Sequence, residues 1–444
     1  MPPHQPRQLG QAHLRRRCRC RCRPPAPTVG ADWLTWLTGC RPSHRVPALT
    51  WFPSFTKSLR STLAGVGANL LNGRCGPIPI PVLAIALGAG LGLGGVATVA
   101  PTSSGLEDLV GATLAITLLA DGLDVDPKLL CSRWGPTARA LGIAMPLTMG
   151  IVAVGAWALF PAFGWAGALV LGAVLSPTDP VVTSTIITSP GVPAPVRHTL
   201  NLESGLNDAL AQPYVAFFVL VATVAPSGWS GTADALELAG RSLMGVALGV
   251  VLGVIGRRVL LNPVLIRAHW TVTSVVALCV GMAALGLTWL ATGNGLLAIF
   301  VAGITLAAAR EYRGAPDRRL PQGLGQVLQA ATFTLTGVLL ATTTWTINPW
   351  AVVGLVALTV VGARPLSIGA SFLGTKMDRG ERIFIAWFGP KAVASLLYAL
   401  MVLHSAVPDG HLVYQLTLFV VLASVLAHGL TDRLGASWMS RSKP

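Results

Sequence analysis

Ser176-Pro177-Thr178-Asp179-Pro180 and, one helix further on, Glu203-Ser204-Gly205-Leu206-Asn207-Asp208 are polar knots in a chain that is otherwise mostly apolar. Each lies inside sequence long enough to cross a bilayer. A carboxylate at mid-membrane costs about 3 kcal/mol or more, so acids there face a protein interior or a water-filled cavity and mark an ion path. Asp179, Glu203 and Asp208 together read as a cation site.

Pro180 removes a backbone donor and pushes Asp179 out of the α region, while Pro177 weakens the same turn. The helix should break here, with Asp179 and Pro180 suited to the N-cap and N1 positions of a new half-helix. Carbonyls freed by the break are tolerated at membrane depth only where they line a cavity or hold an ion. A plain proline kink whose Asp caps its own helix is the alternative, and the second knot weighs against it. There, Glu203 and Asn207 are four apart, as are Ser204 and Asp208, so the four side chains fill adjacent strips of one helix. All offer oxygen, the ligand of hard cations. Glu203 also reads as the partner of a buried base.

Two bases lie at the same depth. Arg364 precedes Pro365, and Lys391 follows Gly389-Pro390. Against Asp179, Glu203 and Asp208 they leave one negative charge over, which one proton or one monovalent cation neutralises. The stretch Phe388-Gly389-Pro390-Lys391-Ala392 interrupts a late helix much as residues 177–180 interrupt an early one. Paired broken helices in two halves point to inverted repeats crossing near the midplane.

The bulk composition fits an all-α polytopic membrane protein. Of 444 residues, 52% are hydrophobic and 11% charged, against about a quarter charged in an ordinary soluble domain; mean hydropathy is +0.64. Spans of roughly 20 residues are expected from about Ile78 to Thr98, Gly105 to Gly122, Thr137 to Phe160, Gly164 to Ile186, Thr199 to Ala225, Leu243 to Gly256 and Thr271 to Leu290. Further spans run from Gly293 to Ala309, Gly323 to Trp345, Pro349 to Phe372, Ile383 to His404 and Leu412 to Leu430, about twelve in all.

The formal charge of +15 is decided by where the bases fall. Alternate loops carry Lys128 and Arg133; Arg197; Arg257, Arg258 and Arg267; Arg310, Arg313, Arg318 and Arg319; Lys376, Arg379 and Arg382; and finally Arg433, Arg441 and Lys443. The intervening loops carry mostly Asp234, Glu237 and Asp409, with Arg241 as the exception. Positive charge marks the cytoplasmic side, so this alternation puts the C-terminus in the cytoplasm. Bases spread over short loops form no single face, which excludes nucleic acid as a partner. The sequence has no Gly-x-x-x-x-Gly-Lys-Ser/Thr phosphate loop, so no ATP-driven step is expected; the polar knots read as an ion path with no cofactor, not as the site of an enzyme.

Residues 1–60 are of another kind. Arg15-Arg16-Arg17-Cys18-Arg19-Cys20-Arg21-Cys22-Arg23-Pro24-Pro25 is a low-complexity run, and the stretch to Arg60 has no periodicity and nothing that can pack. The preferred reading is a disordered basic tail or a misassigned start. Alternating cysteines without a second cluster are poor metal spacing, and the scattered Cys40, Cys75, Cys131 and Cys279 make no disulfide framework. The membrane-spanning region is expected over 61–435, with a short cytoplasmic tail over 436–444.

Leu119-Ala120-Asp121-Gly122-Leu123, the Ser176 to Pro180 and Glu203 to Asp208 knots, Ala363-Arg364-Pro365, Trp387-Phe388-Gly389-Pro390-Lys391-Ala392-Val393-Ala394 and His428-Gly429-Leu430-Thr431 occur in this order. In combination they resemble the bacterial NhaP-type monovalent cation/proton antiporters, the branch that includes sodium/proton exchangers, from about Pro77 to Arg433. The resemblance implies a core that moves as an elevator against a dimerisation domain, hence a homodimer in the lipid bilayer of the inner membrane. It implies that Asp208 carries the exchanged Na⁺ (or K⁺) or H⁺, with Thr178, Asp179, Ser204 and a water held by Glu203 completing the site. Asn207 before Asp208, in place of a second Asp, resembles the electroneutral branch.

Two departures stand out. The family norm is thirteen spans, and the extra one would precede Ile78, where only a weak apolar segment, Leu59 to Leu71, is found. The Gly-Pro-Lys motif reads Gly-Pro-Arg in most of the family, and lysine keeps the charge but loses the planar fork. Rival readings are a transport-inactive truncated paralogue, a cation channel, and an intramembrane aspartyl protease, whose Gly-x-Gly-Asp setting is missing. Asp121 is expected at a helix end near Lys128 or in a cytoplasmic funnel, His428 bonded to a neighbouring polar group, and Asn294 at a helix start.

Overall fold

The computed structural model describes residues 79–126, 134–161, 163–179, 182, 191–224, 231–262, 269–308, 317–345, 347–375 and 377–441. The expectations for residues 1–78, including the basic tail, the cysteine run and the weak segment from Leu59, fall outside them. So do Pro180 and most of the segment after it.

All regular elements among the described residues are helical. They are α1 (Ile80–Leu93), α2 (Ser104–Asp124), α3 (Trp134–Leu159), α4 (Trp165–Val174), α5 (Ala194–Val224), α6 (Gly231–Leu260), α7 (Trp270–Leu290), α8 (Gly295–Ala307), α9 (Arg319–Thr342), α10 (Pro349–Ser371), α11 (Arg379–Trp387), α12 (Val393–His404) and α13 (Gly410–Arg441). Seven of these are long and apolar enough to cross a membrane. The 21-residue α2 is also long enough but bears Glu107, Asp108, Asp121 and Asp124 towards its ends. The short α4, α11 and α12 are the pieces of broken spans, so each of the twelve expected spans has a helix in its place.

Local chemistry explains the boundaries. Asn294 accepts from the Leu297 amide at 2.9 Å and caps α8, while its own amide donates to the Ala209 carbonyl at 3.0 Å; it is a helix start that also holds α5 one residue past Asp208. Asn348 and Asp378 cap α10 and α11 in the same way, at 3.0 and 2.9 Å. A π-helical turn, Leu358–Ala363, lies within α10 just before Arg364-Pro365, and such turns recur at functional sites. The last helix runs on to Arg441, past the end expected near Leu430 and through most of the expected tail. Ala436 and Met439 on this extension are buried against Phe384 and Phe388 of the α11 end, a contact that apolar residues scattered among Arg433, Ser437 and Ser440 did not advertise.

The helices form two bundles: α1, α2 and α6–α9 pack chiefly with one another, and α3–α5 with α10–α13. In lipid no hydrophobic force pulls helices together, so small residues let backbones approach closely. On α1, a Cβ at Gly88 would overlap the Thr334 carbonyl of α9, and one at Gly337 would overlap the Ile85 carbonyl in return. Along α6, Gly245 lies against the Asn294 carbonyl, and a Cβ at Gly249 would come 2.6 Å from that of Ala298. The long α5 runs between the bundles, touching α4 on one side and α2, α6 and α8 on the other. His404 of α12 and Glu107 of α2 pair across the same seam at 3.0 Å.

Gly88→Ala is expected to destabilise by about 1–3 kcal/mol, the ordinary range for overpacking, seen as a lower thermal midpoint in detergent. Gly90→Ala, where a Cβ meets nothing within 4 Å, should be neutral or slightly stabilising. Equal midpoints for the two variants would contradict the close α1–α9 approach.

Candidate ion-binding site

The break after α4 and the break between α11 and α12 cross. The Asp179 amide donates to the Pro390 carbonyl at 2.8 Å, and Asp179 Oδ2 accepts from the Val393 amide at 3.2 Å. Lys391 Nζ donates to the Ser176 carbonyl at 2.8 Å, and the Lys391 amide donates to Ser424 Oγ at 2.8 Å. A helix ends with unpaired carbonyls and begins with unpaired amides, carrying partial negative and positive charge respectively. Here the carbonyl end of α4 meets an ammonium and the amide end of α12 meets a carboxylate. The sequence offered Asp179 as a cap for its own following helix; its carboxylate reaches the first amide of the opposite half-helix.

Lys391, one of the two bases counted against the acids, places its ammonium on the α4 terminus, where a carbonyl end needs a cation, and lies close enough to Asp208 and Glu203 to act on both; the direct partner of Glu203 is Arg364. Arg364 Nη1 and Nη2 each donate to one Glu203 oxygen at 2.8 Å, a bidentate pair with side chains 7% and 4% exposed. Arg364 Nη2 also approaches the Ile385 and Phe388 carbonyls at 3.3 and 3.4 Å, helping to cover the α11 end. Gly389 is required here, because a Cβ would overlap the guanidinium.

Asn207 links the two knots. Its Nδ2 donates to Thr178 Oγ1 at 2.7 Å and to Glu203 Oε1 at 3.1 Å, and its Oδ1 accepts from the Thr178 amide at 3.2 Å. Ser204 Oγ donates to the Thr178 carbonyl. Engaged on three sides, Asn207 serves as a brace for Thr178, a different use of its oxygen from the ligand role the spacing suggested. Asp208 stands apart. It is 3% exposed, and its Oδ1 is fully buried with no hydrogen-bond partner among the described residues. The like charges of Asp179, Asp121 and Glu203 bear on it, opposed by Lys391. A buried carboxylate without a partner is costly unless a proton or a cation neutralises it.

Thus Thr178, Asp179, Glu203, Ser204, Asn207, Asp208, Arg364 and Lys391 all gather at one crossing. Three further residues join them. Asp121 of α2 lies close enough to feel Asp179. His428, as expected, bonds to polar neighbours, with Nε2 2.9 Å from the Trp387 carbonyl and Nδ1 2.8 Å from that of Ser424, fastening the α11 end to α13. Tyr398 donates its hydroxyl to the Asp208 carbonyl. The sequence signalled it only by a phenol in an otherwise apolar helix.

Two broken helices crossing inside a bundle, with charged side chains on their free ends, are the architecture of inverted-repeat membrane transporters. Residues 61–433 match the transmembrane sodium/hydrogen exchanger family, and the chain belongs to that family. It is 26% identical over 342 residues to the K⁺/H⁺ antiporter NhaP of Alkalimonas amylolytica, covering 76% of this chain and 58% of that protein. With the Na⁺/H⁺ antiporter NhaP of Pseudomonas aeruginosa it shares 28% identity over 339 residues, 72% of this chain and 78% of the relative. The chain therefore spans little more than half the length of the K⁺/H⁺ relative. The fold is shared with the sodium proton antiporter MjNhaP1 of Methanocaldococcus jannaschii, at a TM-score of 0.70 and 17% identity over 89% of this chain and 100% of that one.

Breaking the Glu203–Arg364 pair leaves an uncompensated charge buried, which costs about 3–5 kcal/mol. Glu203→Gln and Arg364→Met should each lower the thermal midpoint sharply, and the double variant should recover part of the loss. Strict additivity of the two single effects would refute the pairing.

Proposed function

We propose that this protein is a secondary antiporter that exchanges one monovalent cation, Na⁺ in the first place and K⁺ as the alternative, for one H⁺ across the cytoplasmic membrane. The observation that carries the reading is the buried, unpartnered Asp208 Oδ1 at the crossing of two helix breaks. Among the charges carried by the two knots and the late break, Glu203 is matched by Arg364, and Asp179 and Lys391 hold the two half-helix ends; Asp121 adds its charge from α2. Asp208 is the carboxylate left to trade one positive charge for another.

A proton bonds covalently to a carboxylate oxygen and removes its charge. An alkali ion does the same electrostatically if oxygens replace its water shell, and Thr178, Asp179 and Ser204 stand beside Asp208 to do so. The two cannot occupy the carboxylate together, so each displaces the other. A bare carboxylate carried past the low-dielectric seam between the bundles is penalised; the proton-bearing and cation-bearing forms are not. Crossing is thereby restricted to loaded states, which couples the opposed flows without ATP. One charge is exchanged for one, so the cycle is electroneutral.

The names of the relatives support both cations, K⁺/H⁺ for one and Na⁺/H⁺ for the other. The two-bundle division supports the bundle holding α3–α5 and α10–α13 as the moving part against the other, in a homodimer. Basic residues on alternate loops support a cytoplasmic C-terminus in an inner-membrane protein.

Asp208→Asn, reconstituted in proteoliposomes with an internal pH dye, is expected to lose cation-driven proton flux by at least about a hundredfold while keeping its elution profile and thermal midpoint. Near-normal exchange by that variant would remove Asp208 from its role. Absence of flux in the unmodified protein would favour the inactive-paralogue reading, and flux at rates far above those of a carrier would favour a channel.

A further inference from the structure

Resting on the exchange reading above, we propose that Tyr398 is a positioning residue that fixes the separation of Asp179 and Asp208 and thereby sets which alkali ion the two carboxylates accept. Tyr398 is fully buried. Its hydroxyl donates to the main-chain carbonyl of Asp208. Within α5 the Asp208 carbonyl faces the amide of Gln212, one residue ahead of the ladder bond that Pro213 removes at the Ala209 carbonyl, so the phenol is an addition to the bond the helix itself offers. What it adds is a tether between α5 and α12 at the residue that bears the exchangeable charge.

The start of α12 is held by the second carboxylate. Val393, the first residue of the helix, donates its amide to Asp179 Oδ2 at 3.2 Å. Five residues of helix, a rise of about 7.5 Å, separate Val393 from Tyr398. A ring closes on the opposite side: Asp179 follows Thr178, Thr178 is braced by Asn207 at 2.7 and 3.2 Å, and Asn207 precedes Asp208. Every link in this ring is a peptide bond, a rigid helical segment or a buried hydrogen bond. The Asn207 half fixes the knots to each other at the backbone. The Tyr398 half makes α12 a strut of set length between the two acids. Removing its hydroxyl frees one end of the strut and leaves the apolar packing of the ring in place.

Selection among hard cations depends on cavity size, ligand number and ligand flexibility. A slack strut lets the carboxylates move apart, which penalises a small ion that needs short contacts more than a large one that does not. Tyr398→Phe is therefore expected to raise the half-saturating concentrations of Li⁺ and Na⁺ by about 3- to 10-fold, the range for one lost hydrogen bond. That of K⁺ should change by less than about twofold, and the maximal rate should stay near that of the parent. Tyr414→Phe, which removes the hydroxyl of another fully buried tyrosine, is the control and should leave all three ions unchanged.

The test is proton flux in proteoliposomes with Li⁺, Na⁺ and K⁺ in turn for the parent, Tyr398→Phe and Tyr414→Phe. It is paired with cation-dependent thermal stabilisation in detergent, which reads the same order of ions without transport and serves if the variant reconstitutes poorly. Unequal loss across the ions in Tyr398→Phe alone supports the inference. No change, or the same factor for all three, overturns it while leaving the exchange reading intact. A parent protein with no cation-dependent flux defeats the exchange reading and this inference with it.

Discussion

Two helices cannot stop in the middle of a bilayer unless something satisfies the backbone groups they expose. That constraint governs the site. The α4 terminus is met by the Lys391 ammonium and the α12 terminus by the Asp179 carboxylate, so each break supplies the charge that stabilises the other. Remove either side chain and the opposite half-helix loses its partner. The crossing is thus one mutually dependent unit, and it brings loose carbonyls and acids to a depth where a membrane protein normally tolerates neither.

The remaining charges are arranged around that unit. Arg364 takes Glu203 in a two-pronged pair and lends one nitrogen to the α11 end. The bare Cα of Gly389 makes room for its guanidinium. Buried pairs of this kind contribute little net stability compared with apolar residues of the same shape. Their use here is to hold Asn207, which reaches the same carboxylate and thereby fixes Thr178. Asp208 keeps a buried oxygen that no donor among the described residues serves, and the exchange chemistry proposed for it needs an oxygen open to a proton or a cation.

Much of the fold was legible because hydrocarbon simplifies the code. Long apolar runs, basic loops on alternate sides and two Pro/Gly interruptions gave the spans and both breaks. Spacing placed four of the polar residues on adjacent strips of α5 and charge count set two bases against three acids; that Thr178 joins them came only with the family resemblance. Partners across the crossing were not legible. Asp179 next to Pro180 looks like a cap for the chain that follows, and nothing in a linear pattern says that its carboxylate meets Val393, more than two hundred positions away. Charge counting set Lys391 against the acids but could not show that it also serves a helix terminus, which is a partial charge made of carbonyls. Tyr398 was invisible for a related reason: it binds a backbone atom, and backbone acceptors leave no trace in a sequence. The extension of α13 to Arg441 was missed because Ala436 and Met439 find their apolar neighbours on α11 and not within their own segment.

The central claim is that one carboxylate, Asp208, serves H⁺ and the alkali ion in turn. Steady-state exchange measured over a range of Na⁺ concentrations at successive pH values tests it most directly. Competition at one group requires that, on the acid side, the half-saturating Na⁺ concentration rise about tenfold for each unit by which the pH is lowered while the maximal rate holds constant. A half-saturating concentration indifferent to pH, with the maximal rate falling in its place, would mean that protons act elsewhere and would contradict the account.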